Sequence, residues 1–282
     1  KYATGCKTLE NMIIFPHGSA ARRSGTQFVA EVKDSTKETR LIPFEFSTTQ
    51  TYILEFGNQY IRFFKDNGQI LSSGSPYEIS SPYLEAELFD IKFAQSADVM
   101  YICHPNHPAK KLSRTGHTSW SLTSVDFTDG PYMDENISST TISTSAHTVG
   151  TGRTLTASST TGINDNTGFQ TTDVGRLIRF RDGYGKITAR TSTTVVTIEI
   201  LEDMGSSSSS ANWSLGAFSD TTGHPSCVTF FEQRLVFAAT LSQPQTIFFS
   251  KSGDYENMDE NRGGTIADDD AIIYTIASNQ VN

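Results

Sequence analysis

Along this chain, apolar residues recur at every second position over short stretches, and Gly, Pro, Ser and Asn interrupt them. That alternation predicts many short β-strands. The clearest stretch holds three apolar runs, residues 228–231, 235–238 and 246–249, and closes at Gly253. The same order of runs occurs twice more. One copy has Ile42/Phe44/Phe46, then 52–54, then 60–64 and Gly68; the other has Phe89/Ile91/Phe93, then 99–102, then 110–112 and Gly116. In each copy the middle run begins about 16 to 18 residues before the closing glycine, and repeats of this size with several strands each predict propeller-like blades. Unrelated hairpins of one β domain would give a similar pattern. A further apolar run, 271–276, reads as the start of another unit. Closed propellers need about four to eight blades, so the chain reads as part of something longer.

The pattern changes character over 132–217, where Ser and Thr dominate 137–161 and alternating strands follow. Gly183-Tyr184-Gly185 reads as a turn, and Gly205 with Ser206 to Ser210 as a flexible run. The expected fold is therefore all-β: a partial β-propeller-like repeat domain with a small inserted β-barrel or sandwich. The expected division is 1–131 (an N-terminal hairpin and units 1 and 2), 132–217 (the insertion), and 218–282 (unit 3 and the start of a further unit). In the first segment, 11–15 and 27–32 read as a hairpin joined by a long, glycine-flanked connection, 18–25.

Composition narrows the function classes. The 282 residues carry a formal net charge of −9, so the chain does not grip phosphate backbones through counterion release, although it could surround a passing polyanion without holding it. The three cysteines, Cys6, Cys103 and Cys227, are too sparse for a disulfide framework or a zinc site and suit assembly in a reducing cytoplasm. There is no 18-residue apolar run, so no membrane span is expected.

Candidate chemistry is thin. Phosphate-cradling loops, nucleophile elbows and His-Glu-x-x-His are absent, and no cofactor is called for. Glu85 and Glu87 could act as a carboxylate pair on a sugar, but nothing fixes their separation, and the chain reads as a non-enzyme. His104 and His107, three apart, could share a metal; without a third ligand nearby in sequence, a proline-rich hairpin connection explains them better. Tyr77 and Tyr83 either stack on sugar or anchor their loop. Arg176, Arg179 and Arg181 with Tyr184 could line a single-strand nucleic-acid surface, but Glu199, Glu202 and Asp203 make salt-bridged strands the stronger reading. Arg22 and Arg23, and the acidic run Asp268, Asp269 and Asp270, are the candidate inter-subunit contacts.

Three stretches carry a family resemblance: YATGCKTLENMIIFPHGSAARRSGTQFVAEV; RLIPFEFSTTQTYILEFGNQYIRFF followed by SPYLEAELFDIKFAQSADVMYICHP; and FFEQRLVFAATLSQPQTIFFSKSGDYENM with the acidic run and a strand ending at Ser278-Asn279. Together they resemble the tail tubular or nozzle (tail stabilisation) proteins of podovirus-type phages. Ser24 stands where that family has proline in Arg-Arg-Pro-Gly. The resemblance implies a virion tail component, assembled in the bacterial host cytoplasm. It implies a ring of identical subunits, a hexamer, contacting portal-adaptor and tail fibre or spike proteins, with phage DNA passing through. A tail-associated module that binds host surface glycan through the insertion is the alternative.

Overall fold

The computed structural model describes residues 5–47, 50–262 and 264–277. The chain is all-β, with two short 3-10 turns and no helix long and apolar enough to cross a membrane among the described residues. The expected strand end at Ser278-Asn279, and Tyr2 to Thr4 of the opening stretch, lie outside the described residues.

Three antiparallel meanders form the body. The first runs Arg40–Ser47, Gln50–Gly57, Tyr60–Lys65 and Gly68–Gln69, with Glu78–Ser80 sharing the far edge of Tyr60–Lys65. Pro43 sits in the outermost strand, where no ladder donor is missed on the solvent side. The second runs Lys92–Ser96, Val99–His104, His107–Gly116 and Ser119–Ser124. The third runs Cys227–Phe231, Arg234–Ala238, Thr246–Phe249 and Ile272–Thr275. Residues facing inward from the first two sheets share one buried cluster, in which Trp120 stacks on Phe63 at 4.5 Å and meets Phe44 edge-on at 4.8 Å. The second and third sheets share another, including Tyr101, Cys103, Leu235, Phe237 and Phe248. The second sheet thus contributes to both clusters, which ties the three sheets in series.

A separate cluster is built wholly from residues between Ile142 and Leu215. It lies on a six-stranded sheet in the order Ile142–Thr144, Gly150–Ala157, Val195–Ile200, Gly183–Arg190, Leu177–Phe180 and Trp213–Leu215. Its two edge strands approach one another, with Trp213 Nε1 donating to the Thr140 carbonyl at 3.0 Å. The segment enters and leaves side by side: Met133 N–H donates to Leu215 O, and Ala217 N–H to Pro131 O, each at 2.8 Å.

Five expectations need correction. The run at 271–276 does not begin a new unit, because Ile272–Thr275 is the fourth strand of the third sheet, with Ile273 opposite Phe248. Phe89 and Ile91 are not in a strand; a 3-10 turn at Glu85–Glu87 precedes Lys92–Ser96, leaving Phe89 exposed and Ile91 buried. The N-terminal hairpin is tight: Met12–Ile14 pairs with Ala20–Arg22, inside the expected connection, and 27–32 forms no strand. Gly183 and Gly185 lie within a strand, where an added Cβ would meet Asp203 O at 2.4 Å and Glu199 O at 2.5 Å. Here glycine serves close approach rather than a turn. The serine run is tied down, since Ser210 and Ile142 exchange two backbone hydrogen bonds and Ser207 O accepts from Thr144.

Candidate functional site

A cluster of two histidines and a glutamate lies where the first sheet hands over to the second. The turn Pro105-Asn106 joins Val99–His104 to His107–Gly116 and sets His104 directly opposite His107. Residues directly opposite in an antiparallel pair project to the same face, so both rings turn to one side. Toward them comes the 3-10 turn. Its Glu87 carboxylate accepts from the Leu84 N–H at 2.9 Å and from His107 Nε2 at 2.8 Å. One ring nitrogen of each histidine and a carboxylate oxygen of Glu87 lie within 4.8 Å of one another. Among the described residues no other three His, Cys, Asp or Glu donors converge this closely.

Tyr83 closes the corner from the core side. Its ring is fully buried against Phe56 and meets His107 edge-on at 5.3 Å and His104 at 6.1 Å. From the third-sheet side, His224 N–H donates to Pro105 O at 3.2 Å, and His224 Nε2 pairs with Asp220 at 2.8 Å. Two buried polar atoms here, His104 Nε2 and the Tyr83 hydroxyl, have no hydrogen-bond partner among the described residues. His104 Nδ1 accepts the Asn106 N–H at 3.2 Å.

Burial pushes the Glu87 carboxyl up, but the Leu84 amide and His107 outweigh it, so its pKa lies below the ordinary value. A carboxylate held ionised is the opposite of what a proton donor to a glycosidic oxygen requires. Glu85 is engaged elsewhere, accepting the Glu38 N–H at 2.8 Å. Burial lowers His104 and raises the Tyr83 hydroxyl. Tyr77 is also an anchor: it lies against Phe63 and its hydroxyl accepts the Trp120 N–H at 3.1 Å.

The candidate contact residues divide. Arg22 is exposed, whereas the Arg23 guanidinium is spent inside the hairpin, donating to Asn11 Oδ1 at 2.7 Å. Asp268 and Asp269 are exposed, but Asp270 is buried, ion-paired with Lys251 at 2.9 Å and accepting the Ala267 N–H at 2.8 Å. The acidic run wraps a residue that sequence reasoning missed. The buried Arg234 donates to the carbonyls of Ser250, Asp268 and Asp270. Its only signal was an arginine heading a strand in an otherwise apolar run.

Of the three arginines of the basic strand, two are internal and Arg181 is half-buried. Arg176 is buried and paired with Asp173 at 2.9 Å, not with Glu199, Glu202 or Asp203, and Arg179 is buried too.

No family model matches the chain, and no curated protein matches it.

The remaining feature is the arm. None of residues 5–32 joins a buried cluster, yet the stretch exposes Met12, Ile13, Ile14, Phe15, Phe28 and Val29. Ile14 is 67% exposed and Phe28 76%. Where 29–32 passes the first sheet it leaves a groove of about 520 Å³, lined by Val29, Val32, Leu41 and Ile53 among others.

Proposed function

We propose that the chain is a structural, ring-forming subunit of a short phage tail, of the nozzle or tubular kind, and that it works by shape and contact without catalysis. The observation that carries this reading is the apolar N-terminal arm. Six large apolar side chains of one segment stand exposed outside every core, more than a lone subunit has use for and suited to burial against a partner. The arm and the surface that receives it are different patches. Where each subunit's arm is received by the next subunit in turn, the contact is heterologous, and it makes a ring when its rotation closes. Rigid β-meanders suit the wall of such a ring, and the net charge of −9 suits a lumen that passes DNA without adhering to it. In this reading the ring is a hexamer in the virion tail, assembled in the bacterial host cytoplasm, and it meets portal-adaptor and fibre or spike proteins.

The test is electron microscopy with mass measurement of the protein, alone and with portal and adaptor proteins. Rings should form, and Ile14→Asp with Phe28→Asp should abolish them while leaving thermal unfolding of the subunit unchanged. Absence of rings under both conditions removes the proposal.

One feature favours the glycan-binding alternative. A polar groove of about 590 Å³ lies beside the six-stranded sheet, lined by Asp134, Asn136, Asn164, Asp165 and Gln243 among others. Its one aromatic lining residue, Trp213, is 2% exposed and offers no face for sugar stacking. A glycan array with Asp165→Ala as control separates the two readings.

A further inference from the structure

We propose that Glu87, His104 and His107 form a binding site for a divalent transition-metal cation, zinc foremost, which clips the Glu85–Glu87 turn to the Pro105-Asn106 turn. The proposal is independent of the tail reading. It rests on the convergence of the three donors within 4.8 Å and on the buried polar atoms around them.

Two imidazoles and a carboxylate are a donor set suited to zinc, with bonds of about 2.0–2.2 Å to each. Tetrahedral bonds of that length set ligand atoms roughly 3.3 Å apart. His107 Nε2 and Glu87 stand 2.8 Å apart, with a proton between them. Putting a cation there, with His107 carrying its proton on Nδ1 instead, needs an opening of about half an ångström. A ring nitrogen of His104 lies within 4.8 Å of both other donors, so the ring must move inward to complete the site.

The second observation is at His104 itself. The residue is 1% exposed, and its Nε2 has no partner among the described residues. With Nδ1 accepting the Asn106 N–H, the neutral ring carries its proton on Nε2, a buried donor without an acceptor. Ligation through Nε2 moves that proton to Nδ1 and gives up the contact from Asn106. Asn106 is an exposed turn residue, so its N–H can turn to water. The Tyr83 hydroxyl is also buried and without a partner among the described residues, and its ring packs against both histidines. Access is open, because the His107 and Glu87 side chains remain 21% and 16% exposed.

The experiment is calorimetric titration of the untagged, EDTA-treated full chain with zinc chloride, and in parallel with magnesium chloride. One zinc should bind per chain and magnesium should not, since magnesium prefers an all-oxygen shell. Cobalt(II) should give a visible absorption band that zinc abolishes. Glu87→Gln and His107→Gln should each weaken zinc about ten-fold or more, and His17→Gln, on the arm, should leave it unchanged. Substoichiometric binding by the parent overturns the proposal, as does equal affinity in folded Glu87→Gln and His107→Gln variants. A bound water alone between Tyr83 and His104 at saturating zinc overturns it equally. Should a variant fail to fold, the parent's cobalt spectrum decides, and a spectrum identical to aqueous cobalt refutes the site.

Discussion

Single residues show how position decides what a residue type does. Asp129 sits at a positive φ of 41° and accepts the Tyr132 hydroxyl at 2.7 Å. Burial pushes its carboxyl up to about 6, helped by Asp259 and Glu202 and opposed by Tyr132 and Arg179. The folded state thus holds this proton more tightly than the unfolded chain, whose value is near 3.8. Acid therefore favours the fold at this residue. Its penalty is complete above about pH 6, fades as pH falls, and is gone near pH 4. Asp129→Asn keeps an acceptor for Tyr132 and removes the buried charge. It should stabilise the protein at pH 7 by on the order of 2–3 kcal/mol and change little at pH 4. Denaturant unfolding across that range checks this, and a pH-independent difference would exclude it. Gly185 makes a complementary point. An added Cβ lies 2.5 Å from the Glu199 carbonyl, a backbone atom that cannot swing aside. Gly185→Ala should cost ~2 kcal/mol or more by overpacking, read as a lowered Tm. From sequence alone Gly-Tyr-Gly resembles a turn, because glycine answers equally to a positive φ and to a crowded strand.

At the scale of elements, the run around Ile42 was legible because it alternates between core and solvent, and the runs around Val99 and Leu235 because they are short continuous apolar stretches of strands buried on both faces. What was not legible was pairing. The strand Ile272–Thr275 lies some 23 residues beyond Thr246–Phe249, and nothing local says that it returns to the same sheet. The three converging donors were hidden for the same reason: Glu87 and His107 are 20 residues apart, and only the sheet hand-over makes them neighbours. The buried Arg176 was read as part of a salt-bridged strand and Arg234 was passed over, because their partners are mostly backbone carbonyls, with Asp173 and Asn164 for Arg176, which a sequence does not mark. The six-stranded unit allows a direct test of modularity. Its core uses no residue of the three meanders, and Met133 and Leu215 are hydrogen-bonded neighbours on antiparallel segments. Replacing 134–214 by Asn-Gly, which favours a two-residue hairpin turn, should leave the remainder folding cooperatively. The exchange also breaks the exposed Lys186–Asp126 ion pair, which contributes little, and the hydrogen bonds that Arg176 and Leu177 make to Gly216, whose backbone groups must then turn to water. Circular dichroism melts of the shortened chain, and of 132–217 alone, should each show one sharp transition. A broad, non-cooperative melt in either would show that the clusters depend on each other.

For the molecule as a whole, net charge and its local arrangement make opposite claims on DNA. The total of −9 opposes a polyanion. Yet one small surface depression gathers Arg179, Arg181 and Arg262. Those cations do not form a free basic patch. Arg262 is paired with Glu260 at 2.6 Å, and Glu135 and Asp182 line the same depression. Arg181 donates to the Ser208 carbonyl at 3.2 Å, and Arg179 is buried. Counterion release requires several phosphates to be neutralised at once, and its effect falls steeply with salt. One compensated cluster on an acidic body does not meet that requirement. The subunit should therefore leave duplex DNA unshifted on a native gel at about 10 μM protein, even at a permissive ~50 mM salt. A shift at ~50 mM that vanishes by ~200 mM would mean that the arginine cluster outweighs the total charge. In that case DNA would be gripped by the wall, and passage without adherence would have to be abandoned. Glu260→Gln, which frees Arg262 and reduces the acidic total by one, is the variant in which any such grip should first appear.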